Sequence, residues 1–462
     1  MVGIKEKKRL VWYEKQLSRS SMLFVERSRQ YNELKDELTS EISRLIIHPS
    51  INLFVLWVLN DAIKKRKQKL YFLARDGYFM HRIAEFYCTL WNLQIECEYI
   101  YCSRFSLRLA SYYLDMDSAL DHICRGGIDV NLKKIMGRTG LSKQEIAVVL
   151  KYIKLPYEYT EPIPYKQLKQ VKKGLKDCAY FIECVKKHSK KKYSIMQAYL
   201  SQVGLMDDGT AAFVDSGWTG SIQETLNLVL KASGKKEEVD GYYWGLYEIP
   251  SGSKREMYHS FYFTPEKGYK RKIFFSNCLF EVLVSAPYGM TEGYIEKDGR
   301  IIPKCGKISI YNREIIRIEQ ENLDAYLVQI KRRMKNIDFS NIDFEKEKRV
   351  ISKNLTRLMS CPTIKEAFVL GRMKFSDDIV DDNAVCLARK MNEIELIQNH
   401  LMEKILRSYG ISKKSCCESA WYEGSIVRSH WRWIHWANYI IYKSLLYIKK
   451  EFYGAYRYVR TK

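Results

Sequence analysis

Two acidic residues, Asp76 and Asp215, each stand at the end of a short apolar segment and just before a helix-like one. Asp76 follows "KLYFLA" and has Arg75 and Gly77 as its neighbours, and Asp215 closes "TAAFVD". Side chains at the carboxyl ends of parallel strands point into the crevice where open α/β sheets bind ligands. The sequence therefore predicts one ligand site that the two turns share.

The turn after Asp215 has the composition of a phosphate-binding loop. Its residues are Ser216, Gly217, Trp218, Thr219, Gly220 and Ser221. Glycine lets the backbone approach a ligand, while hydroxyl groups and the free amides of a helix N-terminus bind phosphate. An ordinary helix cap with tight-turn glycines is the alternative. Asp215 itself is placed to accept hydrogen bonds from sugar hydroxyls.

The elements around these residues indicate an α/β fold. From residue 49 to 300, strand-like and helix-like segments alternate, which predicts a parallel sheet. A basic, helical stretch at about residues 115–200 interrupts this pattern and is interpreted as an insertion. Residues 1–48 form a predicted helical lead-in, residues 301–410 a helical accessory region and residues 411–462 a basic aromatic tail.

The turn after Asp215 resembles the loop of phosphoribosyltransferases that binds 5-phosphoribosyl-1-pyrophosphate (PRPP). In those enzymes acids hold the ribose hydroxyls and loop amides hold the 5-phosphate. They usually have two consecutive acids, whereas Ser216 follows Asp215 here, so ribose binding must differ. In that fold an earlier strand and turn bind pyrophosphate through backbone amides, and "FLARDG" is well placed for this role.

Four segments together resemble a family encoded in bacterial polysaccharide gene clusters: "LYFLARDGYFM", "YIYCSRFSLRL", "FVDSGWTGSIQETL" and "GYYWGLY". The resemblance covers about residues 50–295. Members often carry, fused or encoded nearby, a phosphatase of the haloacid dehalogenase type. The family implies a phosphoribosyltransferase-like sheet and a two-step route to ribofuranose. A transferase places 5-phosphoribose from PRPP on a sugar, and a phosphatase then removes the phosphate.

The resemblance also gives roles to the charged residues. Arg75 and Arg104, at two strand ends, suit the pyrophosphate, and Gly77 belongs to the same donor-binding turn, while Arg108 is expected to be structural. Asp76 is expected to hold Mg²⁺ through water or to orient the acceptor, with a helix N-cap as the alternative. Trp218 would either stack on a sugar ring or anchor its turn.

Glu281 is the candidate general base. It lies in the apolar run "LFEVLVSAPYGMTEGY", where burial would raise its pKa; a paired structural glutamate is equally open. A haloacid dehalogenase phosphatase needs a second Asp two positions after the first, and Tyr78 and Gly217 occupy those positions. The sequence thus argues against phosphatase chemistry in this chain, and no His, Cys and Asp cluster has metal-site spacing.

Charge points to an anionic partner. The 462 residues carry a formal charge of +23, and the segment from Trp421 onward has eight Lys and Arg, two Glu and twelve aromatic residues. This mixture is typical of a helix in the membrane interface. Packing on the protein and nucleic-acid binding are alternatives, the latter not expected. The protein is expected to be cytoplasmic and peripheral on the inner face of the membrane.

These observations predict a Mg²⁺-dependent phosphoribosyltransferase. Its donor would be PRPP and its acceptor a glycan, expected to be lipid-linked, in O-antigen or capsule biosynthesis. A separate phosphatase would act on the product. A nucleotide-sugar glycosyltransferase and a non-catalytic, membrane-associated protein of glycan assembly are the alternatives.

Overall fold

The computed structural model describes residues 4–20, 22–24, 34–126, 130–153, 156–338, 341–376, 384–408, 411 and 417–460. Parts of four predicted segments lie outside these residues. They are positions 1–3, 21 and 25–33 of the lead-in, 127–129 and 154–155 of the insertion, 339–340, 377–383 and 409–410 of the accessory region, and 412–416 and 461–462 of the tail.

Five parallel strands form the central sheet: β1 Lys69–Leu73, β2 Glu96–Ile100, β3 Ala211–Trp218, β4 Asp240–Leu246 and β5 Tyr258–Phe263. Their order across the sheet is β2-β1-β3-β4-β5, and each neighbouring pair runs parallel. Two short antiparallel pairs follow: β6 Thr291–Lys297 with β7 Arg300–Cys305, and β8 Lys374–Phe375 with β9 Val385–Cys386. The α/β class predicted from the sequence is confirmed.

Helices make up most of the rest. Before β3 they are α1 Ile4–Leu17, α2 Leu34–Ile42, α3 His48–Lys64, α4 Gly77–Leu90, α5 Arg104–Ser111, α6 Met116–Ile123, α7 Leu132–Gly137, α8 Lys143–Ile153, α9 Leu168–Asp177 and α10 Ala179–Gln202. After β3 they are α11 Ser221–Ala232, α12 Tyr269–Phe274, α13 Asn277–Val284, α14 Ile310–Met334, α15 Phe344–Ser360, α16 Ile364–Gly371, α17 Glu393–Ile397, α18 Leu401–Ser408, α19 Tyr422–Ser425 and α20 Arg432–Arg460.

The strand order reverses between β1 and β3. After β1 the chain adds β2 on one side, and it then returns through the helical insertion to place β3 on the other side. Both strands are nearly continuous apolar runs, which is typical of strands covered by helices on both faces. In open α/β sheets, ligands bind at the carboxyl ends of the strands at such a reversal.

Two local predictions need correction. The sequence pattern ends the third strand at Asp215, whereas β3 continues to Trp218, because Gly217 pairs with Gly245 and Trp218 with Leu246 on β4. The segments "MYHSFYF" and "TEGYIEKDG" predict a mixed, strand-like stretch at residues 258–300, but this stretch also contains α12 and α13. The apolar run around α13 buries against the sheet as a core helix, and periodicity alone does not separate a short buried helix from a strand.

One apolar core joins distant parts of the chain. It runs from Leu10 in α1, through the sheet and α13, to α14, α15 and Trp421. The helical insertion has a separate apolar cluster of its own, built mainly from α6, α7, α9 and α10. The helices after residue 301 therefore complete the same core that covers the sheet.

The long helix α20 packs one face against the fold. Its Tyr447 ring stacks on Tyr247 with centroids 5.2 Å apart and an interplanar angle of 10°. Its buried Lys443 donates to the Phe275 carbonyl at 3.0 Å, and Glu451 accepts from Lys272 at 2.7 Å. One face of α20 therefore packs on the protein, as one of the alternatives for the tail predicts.

One stretch, Glu37–Lys64, is long and apolar enough to cross a membrane by length and composition. It comprises α2, a π-helical turn at Ser43–Ile47 and α3. Within this stretch, the apolar 18-residue segment that meets the length and hydropathy of a membrane span is 94% buried inside the fold. A core helix passes the same test, so this finding is weak evidence for a membrane span.

Candidate active site

A cavity of about 420 Å³ opens at the carboxyl ends of β1 and β3, where the strand order reverses. This size lies within the usual range of ligand pockets, roughly 300–1,000 Å³. Most of the predicted site residues line it: Arg75, Asp76, Arg104, Asp215, Ser216, Gly217, Trp218, Thr219, Gly220, Ser221 and Glu281. The two turns that the sequence singled out share this one cavity.

Ser216 connects the two aspartates. Its hydroxyl donates a hydrogen bond to Oδ2 of Asp76, while the backbone amides of Ser216 and Gly217 hydrogen-bond to Asp215. Asp76 makes no side-chain cap for α4, so the N-cap alternative is wrong. The sequence predicts that the Ser216 hydroxyl binds phosphate, but this hydroxyl already donates to Asp76, and Ser216 is buried.

The electrostatics of the aspartates are set by burial and by each other. Burial, then the nearby Asp76 charge, raises the pKa of Asp215 to about 8, against opposition from its amide hydrogen bonds and Arg104. Burial also raises the pKa of Asp76, while the Ser216 hydroxyl, Arg75 and Arg104 favour its charged form. The charge of Asp76 therefore disfavours ionisation of Asp215.

Glu281 reaches the same cavity from α13. Burial, together with the Asp76 charge, raises its pKa to about 8, and Arg104 and a hydrogen bond from Trp218 oppose this. The indole Nε1 of Trp218 donates to Oε1 of Glu281. The position and raised pKa suit a general base, while the hydrogen bond from Trp218 suits the alternative of a paired structural glutamate, so both interpretations stay open.

Trp218 holds its turn in place. Its ring packs among four other aromatic rings, those of Tyr247, Phe263, Phe275 and Phe280. Its φ of 76° lies in the left-handed region, which is unusual for a residue with a side chain. These contacts favour the anchoring role over stacking on a sugar.

The backbone at the start of α11 is arranged to bind an anion. Gly220 precedes the helix with φ 63°, and a Cβ there would lie 2.5 Å from the Tyr258 ring. No side chain caps the helix, so the cap alternative for Ser216 or Thr219 is wrong. The first amides of α11, at Ser221 and Ile222, therefore remain for a ligand in the cavity.

Gly77 lies outside the cavity lining. It is the first residue of α4, and a Cβ there would lie 3.0 Å from the carbonyl carbon of Phe72. Its role is therefore to let α4 pack closely on β1, which corrects its assignment to donor binding.

Arginine side chains enter the cavity from three segments. Arg75 follows β1, and Arg104 opens α5 after the N-cap Ser103. Arg125, from the helical insertion, also lines the cavity and was not predicted. Arg108 lies outside the lining, buried, and burial followed by the charge of Arg104 lowers its pKa to about 10. Its burial agrees with a structural role.

Other unpredicted lining residues come from far along the chain. Tyr247 and Asn277 flank the aromatic cluster, and Tyr447 and Lys450 belong to α20. Of these four residues, Tyr247 directly follows a strand, β4. No local sequence pattern indicates that Asn277, Tyr447 or Lys450 belongs to the site. Only the packing of α20 on the sheet edge brings its residues to the site.

The acids can be compared with the needs of Mg²⁺. Within the described residues, no group of three His, Cys, Asp or Glu side chains is arranged to hold a metal. Mg²⁺ at phosphate sites commonly uses one or two carboxylates, with water and substrate phosphates as further ligands. Asp76 and Asp215 fit that smaller requirement.

The chain matches no known protein-family model, and no curated protein sequence matches it. An α/β sheet of this kind hosts many unrelated activities. The function must therefore be argued from the geometry of the site.

Proposed function

We propose that the protein transfers a 5-phosphoribosyl group from PRPP to a sugar hydroxyl of a glycan in surface polysaccharide assembly. The observation that carries this proposal is one cavity lined by the uncapped N-terminus of α11, three arginines and four carboxyl groups. PRPP has an anionic group at each end of a pentose. The cavity offers the amides that begin α11 for one anionic group and the arginines that follow β1 and β2 for the other.

The donor would lie along the carboxyl edge of β1 and β3. The 5-phosphate would accept hydrogen bonds from the first amides of α11, at Ser221 and Ile222. The pyrophosphate would lie near Arg75 and Arg104, and the ribose hydroxyls near Asp215. Asp76 and Asp215 would hold Mg²⁺ together with the donor; the ion would help to neutralise the charge of the departing pyrophosphate.

In the transfer step, the acceptor oxygen bonds to the anomeric carbon while the bond from that carbon to the pyrophosphate oxygen breaks. The acceptor proton passes to the carboxylate of Glu281. Arg75 and Arg104 stabilise the charge that develops on pyrophosphate, and Trp218 orients Glu281. The product keeps its 5-phosphate, so a separate phosphatase is needed to give ribofuranose.

The outer face of α20 supports a place at the membrane surface. Its exposed apolar residues recur at helical spacing, with exposures of 53% for Ile434, 52% for Ile441 and Leu445, 54% for Ile448 and 70% for Phe452. Exposed Arg432 and Lys449 flank this stripe. An apolar stripe with cations beside it suits the interface of an anionic bilayer, where a lipid-linked acceptor would also lie.

The decisive experiment is incubation with PRPP, Mg²⁺ and a panel of synthetic and lipid-linked glycan acceptors, followed by mass spectrometry. A gain of one phosphoribosyl unit is the expected result. Asp215→Asn should lower PRPP affinity measured by calorimetry, and exposed Asp208→Asn is the control. Binding of a UDP- or GDP-sugar with no response to PRPP would instead identify a nucleotide-sugar glycosyltransferase. PRPP binding without turnover on any acceptor would favour a non-catalytic role.

A further inference from the structure

A second cavity lies on the far side of Glu281. It measures about 210 Å³ and is bounded by α13, the start of α14 and β8. Arg75 and Glu281 line both this cavity and the larger one. Glu281 therefore lies between two adjoining cavities. The larger cavity contains the proposed phosphate-binding turn, and the described lining of the second cavity does not include it.

The described lining of the second cavity combines apolar side chains with polar groups and lysines. Ser285 and Asn312 supply polar groups, and Lys307 and Lys374 supply cations. Within the described part of the chain, neither lysine forms an ion pair, and the Lys374 ammonium contacts only the Cys386 thiol, at 3.4 Å. Among the described residues of this lining, Glu281 is the single acid.

The carboxyl group of Glu281 is held at the boundary. One oxygen, Oε1, accepts from the Trp218 indole on the side of the larger cavity. Ser285, one turn later in the helix, donates to the Glu281 carbonyl at 2.6 Å and secures the end of α13. The second carboxylate oxygen has no hydrogen bond to the described residues and is available to an incoming hydroxyl group.

We propose that this second cavity binds the acceptor, and that the acceptor sugar carries a negative charge, as a carboxylate or a phosphate ester. The proposal rests on the proposed transfer reaction and names the substrate class of its second half. Lys307 and Lys374 would bind the anionic group, while Glu281 would take the proton from the attacking hydroxyl. The volume equals about seven liquid waters at roughly 30 Å³ each, which suits a single sugar ring.

Saturation-transfer NMR on the full chain tests this directly. The probes are methyl glucuronoside, glucose 6-phosphate and neutral methyl glucoside, each measured with Mg²⁺ and pyrophosphate present. We expect at least one anionic sugar to bind and the neutral one to bind much more weakly. The stronger of the two anionic probes identifies whether the recognised group is a carboxylate or a phosphate.

The double variant Lys307→Gln with Lys374→Gln should weaken binding of that anionic sugar by roughly tenfold, since each ammonium contributes a charged hydrogen bond. Lys297→Gln, an exposed lysine on the nearby β6, is the matched control and should leave affinity unchanged. Equal binding of the three sugars, or an unchanged affinity in the double variant, would overturn the proposal.

Calorimetry with PRPP separates this inference from the proposed function. PRPP should bind the double variant as it binds the parent protein, because neither lysine lines the donor cavity. If PRPP fails to bind the parent protein, the transferase proposal itself is wrong. If PRPP binds but the sugar results are negative, only the acceptor assignment is wrong.

Discussion

Three carboxyl groups, those of Asp76, Asp215 and Glu281, face one cavity and influence one another's protonation. Arg75 and Arg104 offset part of their mutual repulsion. Burial raises the pKa of all three carboxyl groups, and the charge of Asp76 raises the pKa of Asp215 and of Glu281 further.

Protonation of Glu281 can be followed through Trp218, which donates its indole N–H to this carboxyl group. The indole ¹⁵N–¹H signal should titrate with a midpoint near pH 8, following the pKa of Glu281, where an ordinary glutamate titrates near about 4.3. The value of kcat/KM should rise through the same range, because the base acts when ionised. Loss of the signal in Trp218→Phe assigns it.

A substitution of Asp76 tests the cause of the raised pKa of Glu281. Asp76→Asn removes a negative charge that raises the pKa of Glu281, so the NMR midpoint should move to lower pH. Asp208→Asn changes an exposed aspartate and should leave the midpoint in place. A midpoint near that of an ordinary glutamate in the parent protein would contradict the general-base assignment.

At the scale of elements, the turns after β1 and β3 could be predicted because each is a local pattern of strand, polar turn and helix. Asp76 and Asp215 are marked by their neighbours in the sequence. Arg125, Tyr447 and Lys450 carry no such mark, since packing of the insertion and of α20 brings them to the cavity. Sequence patterns cannot indicate contacts that depend on the docking of distant helices.

The exposed apolar stripe of α20 leads to a prediction about binding to anionic membranes. Leu445→Glu with Ile448→Glu places charge on the exposed apolar stripe and should abolish most binding to vesicles containing anionic phospholipid. Flotation of the protein with such vesicles, compared with neutral phosphatidylcholine vesicles, measures this. Because both side chains are more than half exposed, folding should be unaffected.

The control for α20 is Val328→Glu, a change of an exposed apolar residue on α14 that is 73% accessible. It should leave vesicle binding intact. If the α20 variant floats as well as the parent protein, the stripe does not bind lipid. A change in molar mass by light scattering, without any vesicle binding, would instead identify the stripe as a contact with a second copy of the chain.

At the scale of the whole molecule, a buried ion pair joins the two ends of the core. Arg9 in α1 contacts Glu366 in α16 at 3.0 Å, and Tyr13 also donates to Glu366 at 2.8 Å. Arg9 further donates to the carbonyls of Arg357 and Cys361. The alternation of strands and helices predicts the sheet, but it gives no sign of this pair because its partners are more than three hundred positions apart.

Glu366→Ala should destabilise the protein by about 3–5 kcal/mol, because it leaves the buried Arg9 without its carboxylate. Urea unfolding followed by circular dichroism measures the change. Lys365→Ala, on the same helix, removes one partner of a long, exposed contact with Glu6 and should cost less than about 1 kcal/mol. Equal effects of the two substitutions would show that the buried pair does not hold the core together.

The wall that α20 gives to the cavity has a consequence for synthesis of the chain. Tyr447 and Lys450 are translated more than two hundred residues after the acids of β1 and β3. When the ribosome has made the sheet, it has therefore produced Asp76 and Asp215 but not the residues of α20 that line the same cavity. The complete cavity can therefore form only after this late helix has emerged from the exit tunnel.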